Sequence, residues 1–198
     1  MREAFAAGQR DFGENYVQEA LAKIVDLADL RSDVADPIRW HLIGPLQSNK
    51  AREVAANFDW VHSVDRMKLA QRLSDLRPPA LAPLQVCLQV NISGEDSKSG
   101  VAPEATLALA REVAGLPGLK LRGLMAIPEP AADLAAQRAP HRALRKLLEA
   151  LNSEGLGLDT LSIGMSADLE AAVAEGATWV RVGTAIFGSR PAKSAPTP

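Results

Sequence analysis

The residues best suited to chemistry in this chain lie near its end. The segment Ile163-Gly164-Met165-Ser166 runs into ADLEAAVAEG, and Gly183-Thr184-Ala185-Ile186-Phe187-Gly188 follows soon after. Each segment joins a β-type run to a helix start, where unpaired backbone N–H groups and the helix dipole attract an anion. Ser166 is a natural N-cap for the first helix, Asp168 suits its first turn and Gly176 its stop. Gly183 lets a ligand approach the backbone, and Thr184 offers both an N–H and a hydroxyl. Two adjacent helix starts of this kind can grip one phosphate. The same residue types also serve as plain caps and turns, so both readings stay open on these residues alone.

Arg181 favours a ligand. In Trp179-Val180-Arg181-Val182-Gly183, strand alternation puts Trp179, Arg181 and Gly183 on one face and the valines on the other. With the valines under helices, Arg181 points inward, where an unpaired guanidinium is costly. Its expected partner is a bound anion, an acceptor atom on a ligand or, if the arginine is structural, an internal carboxylate such as Glu14. Lys50 in LQSNK and Lys98 in GEDSKSG follow the second and fourth strands, where loops carry either solvated charge or a reactive amine. Covalent attachment demands tight placement, and Glu95 and Asp96 should keep Lys98 protonated. His41 and His62 read as structural, since no carboxylate partner for a general base is evident. Cys87, within LQVCLQV, reads as a small buried hydrophobe, and no His, Cys, Asp and Glu spacing suggests a metal site.

These residues need a scaffold that brings strand ends together. β-type runs at Asp11–Asn15, Arg39–Gly44, Trp60–Ser63, Leu84–Ile92, Lys120–Ile127, Thr160–Gly164 and Trp179–Gly183 alternate with helical stretches. Such alternation predicts an α/β fold with a parallel sheet. In HRALRKLLEALN, Leu144, Leu147, Leu148 and Leu151 form one helical face for packing. Arg77-Pro78-Pro79, Leu116-Pro117-Gly118 and Gly155-Leu156-Gly157 mark loops. The closed parallel barrel has eight strands, and seven leave two edges unpaired. MREAFAAG reads as the end of a helix that a strand should precede, so the expectation is a (β/α) barrel of TIM type lacking its first strand, over residues 1–190. Residues 191–198, SRPAKSAPTP without its first two residues, read as a disordered tail.

With 47% hydrophobic residues in 198, the chain can bury one domain's core. A net charge of −2 with interspersed signs argues against nucleic acid, and one cysteine excludes a disulfide framework within the chain. No apolar run is long enough to span a membrane, so a cytosolic protein is expected.

The segments FGENYVQEA, WHLIGPLQSNK, VHSVDR, QVNISGEDSKSGV, GLMAIPEP and LSIGMSADLEAAVAEGATWVRVGTAIFG, in this order and spacing, resemble the pyridoxal phosphate homeostasis proteins. That YggS/PROSC family is related to the N-terminal barrel of bacterial alanine racemases. The resemblance, from Asp11 to Arg190, implies a barrel that binds pyridoxal 5′-phosphate (PLP). It implies that Ser166, Gly183 and Thr184 hold the phosphate, that Arg181 faces the pyridine nitrogen, and that Asn15 and Met125 line the cofactor. The family's Schiff-base lysine lies on the first barrel strand, in a motif resembling AVSK. It is absent from this chain, which starts inside the next helix; a start assigned too late is the expected reason, and a true truncation is the alternative. PLP is then expected to bind without a covalent link, weakly and reversibly.

The function implied is a PLP carrier in vitamin B6 and amino-acid balance without robust catalysis, monomeric, with PLP-dependent apo-enzymes as partners. An amino-acid racemase is the enzymatic alternative. Racemases related to this barrel carry a second, β-rich domain with a catalytic tyrosine, whereas this chain has one tyrosine, Tyr16, in its first strand motif. A degenerate barrel with weak phosphate binding is the third possibility.

Overall fold

A computed structural model describes residues 1–32, 34–94 and 99–188. Seven strands form one sheet in chain order: β1 (Asp11–Glu14), β2 (Arg39–Leu42), β3 (Trp60–Val64), β4 (Leu84–Gln89), β5 (Leu119–Met125), β6 (Thr160–Met165) and β7 (Trp179–Arg181). Every neighbouring pair is parallel. The helices are α1 (Arg2–Ala6), α2 (Val17–Asp26), α3 (Asp29–Ser32), α4 (Ala51–Asn57), α5 (Met67–Leu76), α6 (Thr106–Ala114), α7 (Leu134–Ser153), α8 (Leu169–Ala174) and α9 (Thr184–Phe187). All seven predicted strands form, and most stop short of the predicted run. The fourth run continues past β4 only as an isolated bridge between Val90 and Val101.

Parallel strands need crossovers, and the helices that supply them cover the outer face of the sheet. Alternation then divides the apolar residues into two cores. Trp40, Leu42, Val61, Val86, Leu88, Leu124 and Leu161 pack outward in one cluster with helix residues such as Ala20, Val54, Leu73 and Leu144. Trp60, Cys87 and Met125 form a second cluster with Trp179 inside the curl of the sheet. In the long helix α7, Leu144 and Leu151 are buried while Leu147 and Leu148 pack against the outer core, as their spacing predicts. Asp133 caps this helix, its Oδ1 accepting from the Ala136 N–H at 2.8 Å.

The sheet curls into a nearly closed barrel. Trp179 on β7 reaches across to β2 and β3, its ring centroid 5.0 Å from His41 and 5.7 Å from Trp60. A flat sheet would not bring the last strand into ring contact with the second and third. Strands β1 and β7 do not pair with each other among the described residues. Cys87 is fully buried, and burial pushes its thiol well above the ordinary cysteine range, as suits a packing residue.

Candidate functional site

The C-terminal ends of the strands gather the predicted residues. Met165 pairs with Arg181 across β6 and β7, so Ser166 and Gly183 leave the sheet side by side at the same end. Gly164 makes this turn possible: its φ is +88°, and a Cβ there would lie 2.4 Å from that of Ala172. No larger residue fits between the strand end and α8.

Ser166 is not the helix cap that the sequence suggested. Helix α8 starts at Leu169 with Asp168 in the cap position, and Ser166 sits in the preceding turn. The reason is Asp168, whose carboxylate turns back to accept the Met165 N–H at 2.6 Å. His141, from α7, holds the other oxygen of Asp168 at 2.9 Å. His141 and Asp168 therefore shape the Ser166 turn, a role the sequence did not reveal, because the two residues lie 27 apart on different helices. Among the described residues, the backbone N–H groups of Ser166, Ala167, Gly183 and Thr184 donate to no backbone carbonyl outside the regular helices and strands. Ser166, Gly183 and Thr184 are also exposed, so an anion can reach them. A Cβ at Gly183 would meet nothing within 4 Å.

Arg181 points into the barrel, as alternation requires, and its protein partners are two carbonyls and a hydroxyl, not the internal carboxylate. Its Nη1 donates to the Ser162 carbonyl at 2.6 Å and to the Ser162 hydroxyl at 2.9 Å, and Nη2 donates to the Ala126 carbonyl at 2.9 Å. Strand-end carbonyls can satisfy a guanidinium because each retains a second lone pair. Glu14 is not the partner: it packs away from Arg181 and accepts from Lys23 Nζ at 2.6 Å. Burial pulls the Arg181 pKa down to about 10, with Asp168 opposing, so the group is still cationic at neutral pH.

Asn15 follows β1 and is exposed, its carbonyl pressed against Gly44, where a Cβ would lie 2.1 Å away. Met125 ends β5 fully buried, one residue before the carbonyl that Arg181 grips. Lys50 ends a 3₁₀ turn after β2 and pairs with Glu53 at 3.3 Å. Lys98 lies outside the described residues, as do Glu95, Asp96 and the tail from 191. No cluster of three or more metal-ligating side chains occurs among the described residues.

His41 does have a carboxylate partner. Asp11 Oδ1 lies 3.0 Å from His41 Nε2 and also accepts from Arg39 at 2.7 Å. The sequence hid it because the partner comes from the adjacent strand: Asp11 pairs with Arg39, which sets His41 two residues further along the same face. Burial pushes the Asp11 carboxyl up, but the hydrogen bonds from His41 and Arg39 outweigh it and hold the group well below the usual carboxylate range. A depressed carboxylate pKa stabilises the fold above the unfolded value, about 3.9, and loses that contribution as pH falls. Asp11→Asn should therefore lower stability at pH 7 by about 1–3 kcal/mol. The gap from the parent chain should narrow below about pH 4. Urea denaturation at both pH values checks this; a gap independent of pH would assign the loss to packing.

The alanine racemase N-terminal domain model matches residues 1–191. A pyridoxal phosphate homeostasis protein of Pseudomonas aeruginosa is 66% identical over 190 residues, 96% of this chain and 79% of that protein. One of Escherichia coli is 52% identical over 188 residues, covering 95% of this chain and 79% of that protein. The structure of PipY from Synechococcus elongatus with PLP bound superposes with a TM-score of 0.83 at 43% identity, covering 94% of this chain and 85% of that one. An alanine racemase of Clostridium difficile shares the fold, with a TM-score of 0.72 at 13% identity over 95% of this chain and 47% of that one. A family model that spans nearly the whole chain, joined to relatives this similar, means that the chain belongs to the alanine racemase N-terminal domain family and, within it, to the pyridoxal phosphate homeostasis proteins.

Proposed function

We propose that this protein binds PLP at the open end of the barrel and acts as a cytosolic, monomeric carrier in vitamin B6 and amino-acid balance, passing PLP to apo-enzymes without robust catalysis of its own. The observation that carries this reading is the donor set. N–H groups on the Ser166 and Gly183 turns suit a phosphate, and an inward arginine stands beside them. These residues fit PLP in type: Ser166, Gly183 and Thr184 for the phosphate, Arg181 for the ring nitrogen, Asn15 and Met125 for the ring's surroundings. PLP supplies an electron sink when its ring nitrogen is protonated. Arg181 has only donors, so it holds that nitrogen unprotonated and blunts the sink. Holding the cofactor is the chemistry that such a site favours.

Non-covalent binding is part of this reading, and Lys50 pairs with Glu53 at 3.3 Å. Spectral titration with PLP, with and without borohydride, tests the reading. Reversible binding that dialyses away after borohydride is expected. Absence of binding would overturn the reading, and stoichiometric labelling at Lys50 or Lys98 would overturn its non-covalent part. A D-amino-acid assay with PLP supplied addresses the racemase alternative, for which turnover abolished by changing a single base would be decisive.

A further inference from the structure

A line of hydrogen bonds crosses the barrel interior behind Arg181. Asp11 Oδ1 meets His41 Nε2 at 3.0 Å, His41 Nδ1 meets His62 Nε2 at 2.9 Å, and His62 Nδ1 meets Ser162 Oγ at 2.7 Å. Ser162 Oγ in turn accepts from Arg181 at 2.9 Å. The chain links β1, β2, β3, β6 and β7, and so most of the circumference of the barrel. Its middle is dry: His41 is 3% exposed, His62 2% and Ser162 0%. His41 also lies flat on Trp60, with ring centroids 5.4 Å apart and planes 7° apart.

The two ends are ions of opposite sign, and with both imidazoles neutral they fix the direction of every bond between. An ionised Asp11 only accepts, so His41 donates from Nε2. A neutral His41 must then accept at Nδ1, which makes His62 the donor from its Nε2. A neutral His62 accepts at Nδ1, and the Ser162 hydroxyl donates to it. Burial, the largest cause, holds the His62 pKa well below its ordinary value, in keeping with a neutral ring. The Ser162 oxygen, its hydrogen committed, presents its lone pairs to the guanidinium. Bonds aligned head to tail between a cation and an anion polarise one another, by roughly 10–30% per bond.

We propose that Ser162 and His62 are positioning residues, which hold Arg181 in one orientation through this one-directional chain anchored on Asp11. The inference rests on the PLP-binding reading, since the atom that Arg181 is positioned for is the ring nitrogen. Ser162 touches Arg181, whereas His62 acts only through Ser162, so an effect of His62 on the ring is the signature of transmission.

The test has two arms. In the PLP-free protein, ¹⁵N NMR of the imidazoles at pH 7 should show His41 and His62 each as a single Nε2–H tautomer, and Ser162→Ala should mix the tautomers of His62. Both rings as tautomer mixtures in the parent chain would overturn the inference without reference to PLP. In the second arm, His62→Gln and Ser162→Ala should each weaken PLP binding about 3- to 10-fold and shift the absorption band of bound PLP, while inorganic phosphate binding stays within twofold. A fold change of that size corresponds to about 0.6–1.4 kcal/mol. If Ser162→Ala fails to fold, His62→Gln decides. Unchanged PLP affinity and spectrum in the variants would overturn positioning and leave PLP binding standing. A parent chain that ignores PLP would instead sink the functional reading, and the NMR arm would still decide whether the directed chain exists.

Discussion

Replacing Arg181 with methionine should cost the fold about 1–3 kcal/mol. Methionine matches the length of the arginine stem but leaves the Ala126 carbonyl without the donor it has now, while the Ser162 carbonyl keeps the Ala126 N–H at 3.3 Å. Each buried acceptor left unmade costs about 1–3 kcal/mol. Removing a charge that burial already disfavours returns part of that loss. The urea midpoint of Arg181→Met should therefore fall clearly below that of the parent chain. A midpoint equal to the parent's would mean that water replaces the guanidinium at those carbonyls.

The same geometry bears on any attempt to change the ring-nitrogen partner. Arg181→Glu would place a carboxylate against two carbonyls and a hydroxyl that now accept hydrogen bonds. The acid would be driven toward its protonated form, and stability should fall further than in Arg181→Met. Spectral changes in that variant need a stability measurement beside them.

The placement of Arg181 was legible in the sequence and its partners were not, for one physical reason. Alternation along Trp179-Val180-Arg181 depends only on the period of a strand, which residue types report. The acceptors for Arg181 are two carbonyls and a serine on β5 and β6, and backbone atoms leave no mark in composition. The Ser166 turn shows the same division. Gly164, Ser166 and Asp168 marked a turn into a helix, but a natural cap residue and the actual cap differ by two positions. The choice was made by Met165 N–H and by His141 from another helix. Asp11 and His41 are the extreme case. His41 was read alone as structural and Asp11 only as the first residue of a strand, and parallel pairing of β1 with β2 brings them to one face. Local patterns thus reported periods and turns, while the polar chemistry inside the barrel came from register between strands, which a single sequence does not carry.

Thr184→Glu should separate binding from folding, because its effects on the two have opposite signs. Thr184 is exposed and opens the short helix α9. A carboxylate in the first turn of a helix interacts favourably with the free N–H groups there, so the fold should hold or gain a few tenths of a kcal/mol. The same carboxylate would stand where the PLP phosphate is proposed to sit, and would itself satisfy donors meant for that anion. Two like charges about 4 Å apart at an effective dielectric of 20 repel by about 4 kcal/mol, and screening and side-chain rearrangement reduce this. PLP affinity should therefore fall by about 100-fold, roughly 2.7 kcal/mol. Since the loss is mostly charge repulsion, raising the salt concentration should recover part of it. Thr184→Ser keeps the hydroxyl and should bind nearly as well as the parent. Titrations of both variants at low and high salt check the reading. If Thr184→Glu bound PLP within twofold of the parent, the phosphate would have to lie elsewhere, and the two turns at the ends of β6 and β7 would be turns only.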